Sequence, residues 1–227
     1  QIGRLIRAVD EEGFGADTLI VFLSDNGYML GQHGRLEKHC FYEPSVRVPL
    51  VLRWPGRLPA GRRVHDLVEL VDVLPTVLGL LDAPIPPGLH GLDLSGLAKG
   101  EPGARGRDVA TSEYQENEEA MARSSRYKLI VGSGRRARAD GYAADGPLPG
   151  PYERLYDEQD DPGETRDLAA DPKLAGVKKA LLESLWRRFA TTWNGPEPIP
   201  PGLSPRDAIH WCLTPRDKPN PGYPGHM

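Results

Sequence analysis

The hydrophobic positions change period several times along this chain, and each change predicts an element. Ile2, Leu5, Ile6 and Val9 recur at helical spacing with Arg4 and Arg7 between them, and Gly13 and Gly15 end the resulting helix. Residues 19–23 (LIVFL) then run without polar interruption, which suits a short parallel strand buried on both faces. Residues 48–54 (VPLVLRW) form a second apolar strand, stopped by Pro55-Gly56. Asp72 stands as a helix N-cap, with Pro75 in the first turn and an apolar face through Leu78 and Leu81. Residues 83–106 are rich in Pro and Gly and loop outward. Strands are expected at 109–113, 127–131 and 155–157.

The longest helical pattern spans 172–193. Leu174, Val177, Leu181, Leu185, Phe189 and Trp193 step by three or four, while Lys178, Lys179, Arg187 and Arg188 fall off that stripe. This helix is expected to pack on a small antiparallel sheet. Residues 132–151 are polar and rich in Gly, Ala and Arg, reading as a hairpin or insertion. Residues 194–227 are dominated by Pro and Gly without periodicity, a tail that wraps the body or stays disordered, with Trp211 as one docking point. The expected organisation is 1–106 as part of an α/β core, 107–193 as a small α+β subdomain and 194–227 as the tail.

Charge adds little to this picture. The 28 basic and 32 acidic residues give a net charge of −4, which carries no nucleic-acid signal. Arg35, Arg47, Arg53, Arg57, Arg62 and Arg63 are scattered, and Arg135, Arg136 and Arg138 cluster in a Gly-rich segment that reads as a solvated loop. No apolar run approaches the ~20 residues of a membrane-spanning helix. Two cysteines do not make a disulfide framework. The compartment stays open.

Candidate chemistry gathers after the first strand. Asp25 and Asn26 set a carboxylate and an amide oxygen side by side, and ligands of parallel α/β sheets sit outside the carboxyl ends of the strands. This hard donor pair favours calcium or magnesium over zinc, with the remaining ligands supplied from elsewhere. Asp25-Asn26-Gly27 also reads as a plain turn closing a strand. His33 and Lys38 come within about one loop, adding groups that can hold an anion.

The wider pattern resembles the second half of a sulfatase, within the alkaline-phosphatase-like superfamily. The resemblance is carried by Ser24-Asp25-Asn26-Gly27, Gly31-Gln32-His33-Gly34, Lys38 ahead of Tyr42-Glu43, and Arg47-Val48-Pro49-Leu50. Further along it is carried by Asp72-Val73-Leu74-Pro75-Thr76, Gly91-Leu92-Asp93-Leu94, Arg126-Tyr127-Lys128-Leu129-Ile130, Leu155-Tyr156-Asp157, Asp161-Pro162-Gly163-Glu164 and Asp167-Leu168-Ala169. It covers 1–193. It implies an α/β fold, the C-terminal part of an alkaline-phosphatase-like sandwich with a small antiparallel-sheet-plus-helix subdomain.

It also implies roles. Asp25 and Asn26 become ligands of Ca²⁺ or Mg²⁺. Lys38 becomes the catalytic anchor of the sulfate, and His33 a catalytic or substrate-binding group at the leaving group. The implied substrate is a sulfated small molecule or sulfated glycan. The resemblance is compatible with a periplasmic or extracellular placement and leaves the compartment of this chain unknown.

Such enzymes carry a C/S-x-P-S/A-R motif whose Cys or Ser becomes formylglycine. Cys40 has no Pro at the needed offset, and in Cys212-Leu213-Thr214-Pro215-Arg216 the Pro falls one place late. The expectation is therefore a C-terminal fragment, or the product of a split or truncated gene. The formylglycine is expected in an N-terminal half, and the fragment alone is expected to be inactive. A phosphodiester or phosphonate monoester hydrolase of the same superfamily, and a non-catalytic protein that binds sulfated glycans, remain the alternatives.

Overall fold

The opening helical pattern forms α1, Ile2–Glu11. The structure is a computed structural model and describes residues 1–115, 118–134 and 150–214. The Arg135–Arg136–Arg138 cluster, most of the hairpin expected at 132–151, and the last residues of the tail lie outside the described residues. The chain divides into two units. One comprises Gln1–Tyr28 and Tyr42–Ala110, and the other Met29–Phe41 and the chain from Thr111.

In the first unit, the apolar run at 19–23 becomes β1, Ile20–Leu23, and the run at 48–54 becomes β4, Leu50–Arg53. The two pair antiparallel, from Ile20 opposite Arg53 to Leu23 opposite Leu50. The parallel, fully buried strand expected from the sequence is therefore corrected. An unbroken apolar run specifies a strand but not the direction of its neighbour, and Phe22 and Leu23 are each 38% exposed. Arg53 reaches back to α1, where its guanidinium donates to both oxygens of Asp10 at 2.8 and 3.0 Å. The Trp54 indole N–H donates to the Ala16 carbonyl at 3.0 Å and fastens the intervening loop.

Asp72 sits where the N-cap of α3, Val73–Leu80, was expected, but its side chain does not cap that helix. Its carboxylate accepts the N–H of Glu69 at 2.8 Å and of Leu92 at 2.7 Å, and Nε of Arg107 at 2.9 Å. The side chain faces backward because a buried carboxylate gains most where a guanidinium and two N–H groups converge. Thr76, one turn into α3, accepts the N–H of Leu94 at 3.0 Å and holds the approach to α4, Ser95–Lys99.

Burial pushes the Asp72 carboxyl up, but the bonds from Arg107, Leu92 and Glu69 and the charge of Arg107 bring it below the usual value. A carboxylate lowered in the folded state adds stability that is complete above its unfolded pKa and is lost as pH falls through its folded one. Stability is thus expected to drop as pH falls below about 4. Asp72→Asn should flatten that slope in urea unfolding measured across pH. An unchanged slope would rule Asp72 out as the source.

The second unit is built on a four-stranded sheet in the order β5 (Ala110–Tyr114), β6 (Glu119–Arg123), β7 (Tyr127–Gly132), β8 (Tyr152–Asp157). The β6–β7 and β7–β8 pairs are antiparallel. Residues 172–174 form a 3₁₀ turn, started by Asp171, whose side chain accepts the Lys173 N–H. The helix α5, Ala175–Thr192, comes next. The expected stripe packs inward, with Leu181, Leu185 and Phe189 buried, and α5 lies against β6 and β7. Ala120, Ala122, Leu129, Val131 and Leu155 complete this core.

The segment read as an aperiodic tail contains α6, Pro205–Leu213, with Ala208, Ile209, Cys212 and Leu213 buried. It packs on α5, and Trp211 docks against Trp193 with ring centroids 5.2 Å apart. Among the described residues no helix is long and apolar enough to cross a membrane.

Candidate functional site

Asp25 and Asn26 leave the end of β1 together in the first unit. The next residue must be Gly27. A Cβ there would lie 2.0 Å from the Pro44 carbonyl oxygen, because the backbone runs against α2, Glu43–Val46. Gly27 N–H donates to Ser45 O at 2.7 Å and Tyr28 N–H to Pro44 O at 2.9 Å. The Asp-Asn-Gly and Tyr-Glu-Pro-Ser segments are thus joined backbone to backbone, which fixes where the two oxygen donors stand. Asp25 Oδ1 accepts the Asn26 N–H at 3.0 Å, and the Ser24 hydroxyl donates to Asn26 O at 2.7 Å. Asp25 is exposed and Asn26 half-buried. Asp25 Oδ2 and the Asn26 side-chain amide are engaged by no other described residue.

This pair fits a hard divalent cation. A carboxylate oxygen and an amide oxygen stand adjacent, accessible and not committed to an ion pair. They would supply two of the about six to eight oxygens that calcium takes. Among the described residues no three His, Cys, Asp or Glu side chains converge as a metal-binding group. Formylglycine has no such fit here. Cys40 and Cys212 are both buried, and Cys212 lies inside α6.

His33 and Lys38 stand in the second unit, on a short hairpin of β2 (Met29–Leu30) and β3 (Leu36–Glu37). Met29, fully buried, anchors its base. His33 occupies a 3₁₀ turn at the tip, half-buried, with φ of 52°, and Glu37, immediately before Lys38, has φ of 86°. Left-handed backbone at non-glycine residues costs on the order of 1–3 kcal/mol each and concentrates where function constrains the chain. Lys38 itself is exposed.

The setting of Lys38 includes groups that the sequence did not single out. His39 Nδ1 and the Tyr114 hydroxyl are 2.9 Å apart, and the ring of His39 meets that of Tyr114 edge-on. His39 Nε2 lies 3.8 Å from a Glu37 carboxylate oxygen. Arg35, buried, donates through Nη2 to the His39 carbonyl at 3.2 Å, and Cys40 N–H donates to Lys38 O at 2.9 Å. The backbone on both sides of Lys38 is therefore held, and the residue itself is exposed. Tyr114 lies 75 residues from His39, so nothing local could have revealed the pair.

The model of the family described as N-sulphoglucosamine sulphohydrolase, C-terminal, matches residues 31–190. The chain belongs to this family. The matched stretch of this sulphohydrolase-family chain contains His33 and Lys38, whereas Asp25 and Asn26 precede it. Over its whole length the chain is 27% identical to a Δ4,5-hexuronate-2-O-sulfatase of Bacteroides thetaiotaomicron, of which it covers 44%.

Solved structures share the alkaline-phosphatase-like fold. One, a complex with its substrate D-glucosamine-2-N,6-O-disulfate, has a TM-score of 0.69 and 25% identity, over 86% of this chain and 38% of that one. The phosphonate monoester hydrolase of Agrobacterium radiobacter has a TM-score of 0.66 and 30% identity, over 84% of this chain and 38% of that one. The chain thus spans about two-fifths of the length of these relatives.

Proposed function

We propose that this chain is the C-terminal part of an enzyme that hydrolyses sulfate esters of sulfated sugars with the help of a divalent cation. The observation that carries the reading is the sulphohydrolase family match over 31–190, which spans the hairpin bearing His33 and Lys38. The relatives' names and the bound glucosamine disulfate support a sulfated sugar as substrate.

In this reading Asp25 and Asn26 hold Ca²⁺ or Mg²⁺, which when bound neutralises sulfate charge and orients the nucleophile. Lys38 holds a sulfate oxygen and opposes the charge that grows as the S–O bond breaks. His33 gives a proton to the leaving alcohol. The nucleophile comes from outside this chain, in keeping with the misfit of both cysteines.

A second reading, hydrolysis of a phosphonate monoester, is favoured by the likeness to the Agrobacterium enzyme. Sulfate and phosphonate are both tetrahedral anions, and a carboxylate–amide pair with a lysine accepts either.

Chelation tests the cation. In an enzyme of the relatives' full length carrying this chain, EDTA should abolish sulfate release and calcium restore it. Asp25→Ala should raise the calcium needed by tenfold or more, read by calcium titration calorimetry as well as by turnover. Calcium binding that Asp25→Ala leaves unchanged would remove this residue from the site.

A further inference from the structure

The second unit contains a cleft of about 350 Å³ walled by the start of β8, the loop after it, α5 and α6. Its size falls within the range of about 300–1,000 Å³ typical of small-ligand sites. The charges that line it are arranged unevenly. The Glu153 side chain is only 7% exposed, and its one carboxylate serves two cations. Lys178 Nζ lies 3.1 Å from its Oε2, and Arg206 Nε donates to its Oε1 at 2.6 Å. Both cations thus converge on one carboxylate at this wall, and Asp167 supplies the second acid of the lining.

The donors are not exhausted either. Lys178 also donates to the Ala169 carbonyl at 2.8 Å, which leaves one N–H. Arg206 is half exposed, and its Nη1 is engaged by no other described residue. Across the cleft, Asp167 Oδ1 accepts the N–H groups of Leu155 at 3.0 Å and Ala169 at 2.9 Å, and its Oδ2 is engaged by no other described residue. His210 completes the lining.

Guanidinium donors of Arg206 left over beside Glu153, facing a carboxylate that can take hydroxyl protons, match a ligand that carries both an anion and hydroxyls. Arg206 and His210 stand on α6, beyond the stretch matched by the family model, so the cleft is completed by a part of the chain outside that match. We propose that this cleft binds one sulfated sugar unit, the sulfate on Arg206 and Lys178 and ring hydroxyls on Asp167. Such a site, built from residues other than those assigned to hydrolysis, would retain a sulfated glycan at a second point and raise its effective concentration. The choice of ligand rests on the sulfated-sugar reading above.

The test is calorimetric titration of the chain with D-glucosamine-2-N,6-O-disulfate and with D-glucosamine, for the wild type and for Arg206→Ala, Arg206→Lys, Asp167→Ala, Lys38→Ala and Lys179→Ala. The expected result is saturable binding of the disulfate and not of glucosamine. Arg206→Ala and Asp167→Ala should each weaken it about tenfold or more, Arg206→Lys should keep most of it, and a Lys179→Ala control, on α5 but outside the cleft lining, should leave it unchanged.

Tryptophan fluorescence reports whether α6 stays docked, through the Trp193–Trp211 contact. If Arg206→Ala undocks α6, then Asp167→Ala, which lies off α6, decides. Binding lost in Lys38→Ala but intact in the cleft variants would overturn the cleft and leave the proposed hydrolysis standing. Absence of saturable binding by the wild type would also overturn the cleft, while sulfate release in the longer enzyme would judge the hydrolysis separately.

Discussion

Replacing Lys38 by alanine, in an enzyme of full family length that carries this chain, should lower sulfate release about 10²–10³-fold, the usual cost of one preorganised donor to a developing negative charge. The structure makes this loss interpretable. Lys38 is exposed, while the chain beside it is held by the Arg35–His39 carbonyl bond and the Cys40–Lys38 turn. Truncating an exposed side chain shifts stability by about 0.5 kcal/mol or less. The variant should therefore fold normally, with an unchanged unfolding midpoint and a deep loss of turnover. Lys38→Arg should recover only part, because a planar fork replaces a compact point charge. Wild-type turnover in Lys38→Ala would take this lysine out of the mechanism.

The largest effect on stability is expected at Lys128→Met. Lys128 is a completely buried cation near the start of β7, with Nζ 2.7 Å from a Glu164 oxygen and 3.3 Å from a Glu158 oxygen. Those carboxylates are themselves only 1% and 4% exposed. Methionine fills similar space but leaves two buried acids without their shared cation. Breaking a buried pair in this way costs about 3–5 kcal/mol, against a total of about 5–15 kcal/mol for a typical domain. Denaturant unfolding should show a loss of that size, and Lys128→Met combined with Glu164→Gln should recover part of it. A change below about 1 kcal/mol would mean that the pair behaves like an exposed one.

Legibility in the sequence depends on which interactions are local. The apolar stripe of α5 and the run that became β1 depend on residues a few positions apart, and both formed where expected. The pairing direction of β1 depends on β4, some thirty residues on by chain count, and an unbroken apolar run has no polar face to report it. The strand β6, Glu-Ala-Met-Ala-Arg, lacks the β-branched residues that mark strands, and it exists because β7 supplies its partner.

The helix α6 did carry a signal. Ser204-Pro205 with Asp207 is an N-cap with proline at the first turn, and the Ser204 hydroxyl accepts the Asp207 N–H at 3.2 Å. The surrounding prolines hid it.

The candidate site divides in the same way. Asp25, Asn26, His33 and Lys38 belong to contiguous motifs and were legible as such. The close approach at Gly27 and the His39–Tyr114 pair depend on chain segments far apart in sequence. Asp72 was placed at the right helix end, yet its work for Arg107 and Leu92 required a loop and a bridge that no local pattern describes.

The choice between sulfate and phosphonate is settled most directly by a side-by-side assay. An enzyme of full family length carrying this chain would be given D-glucosamine-2-N,6-O-disulfate and phenyl phosphonate monoester at matched concentrations with calcium, and released sulfate and phenol would be measured. Hydrolysis of a sulfated sugar predicts sulfate release that exceeds phosphonate turnover and is lost with Lys38→Ala. Turnover of the phosphonate with no sulfate released would contradict it.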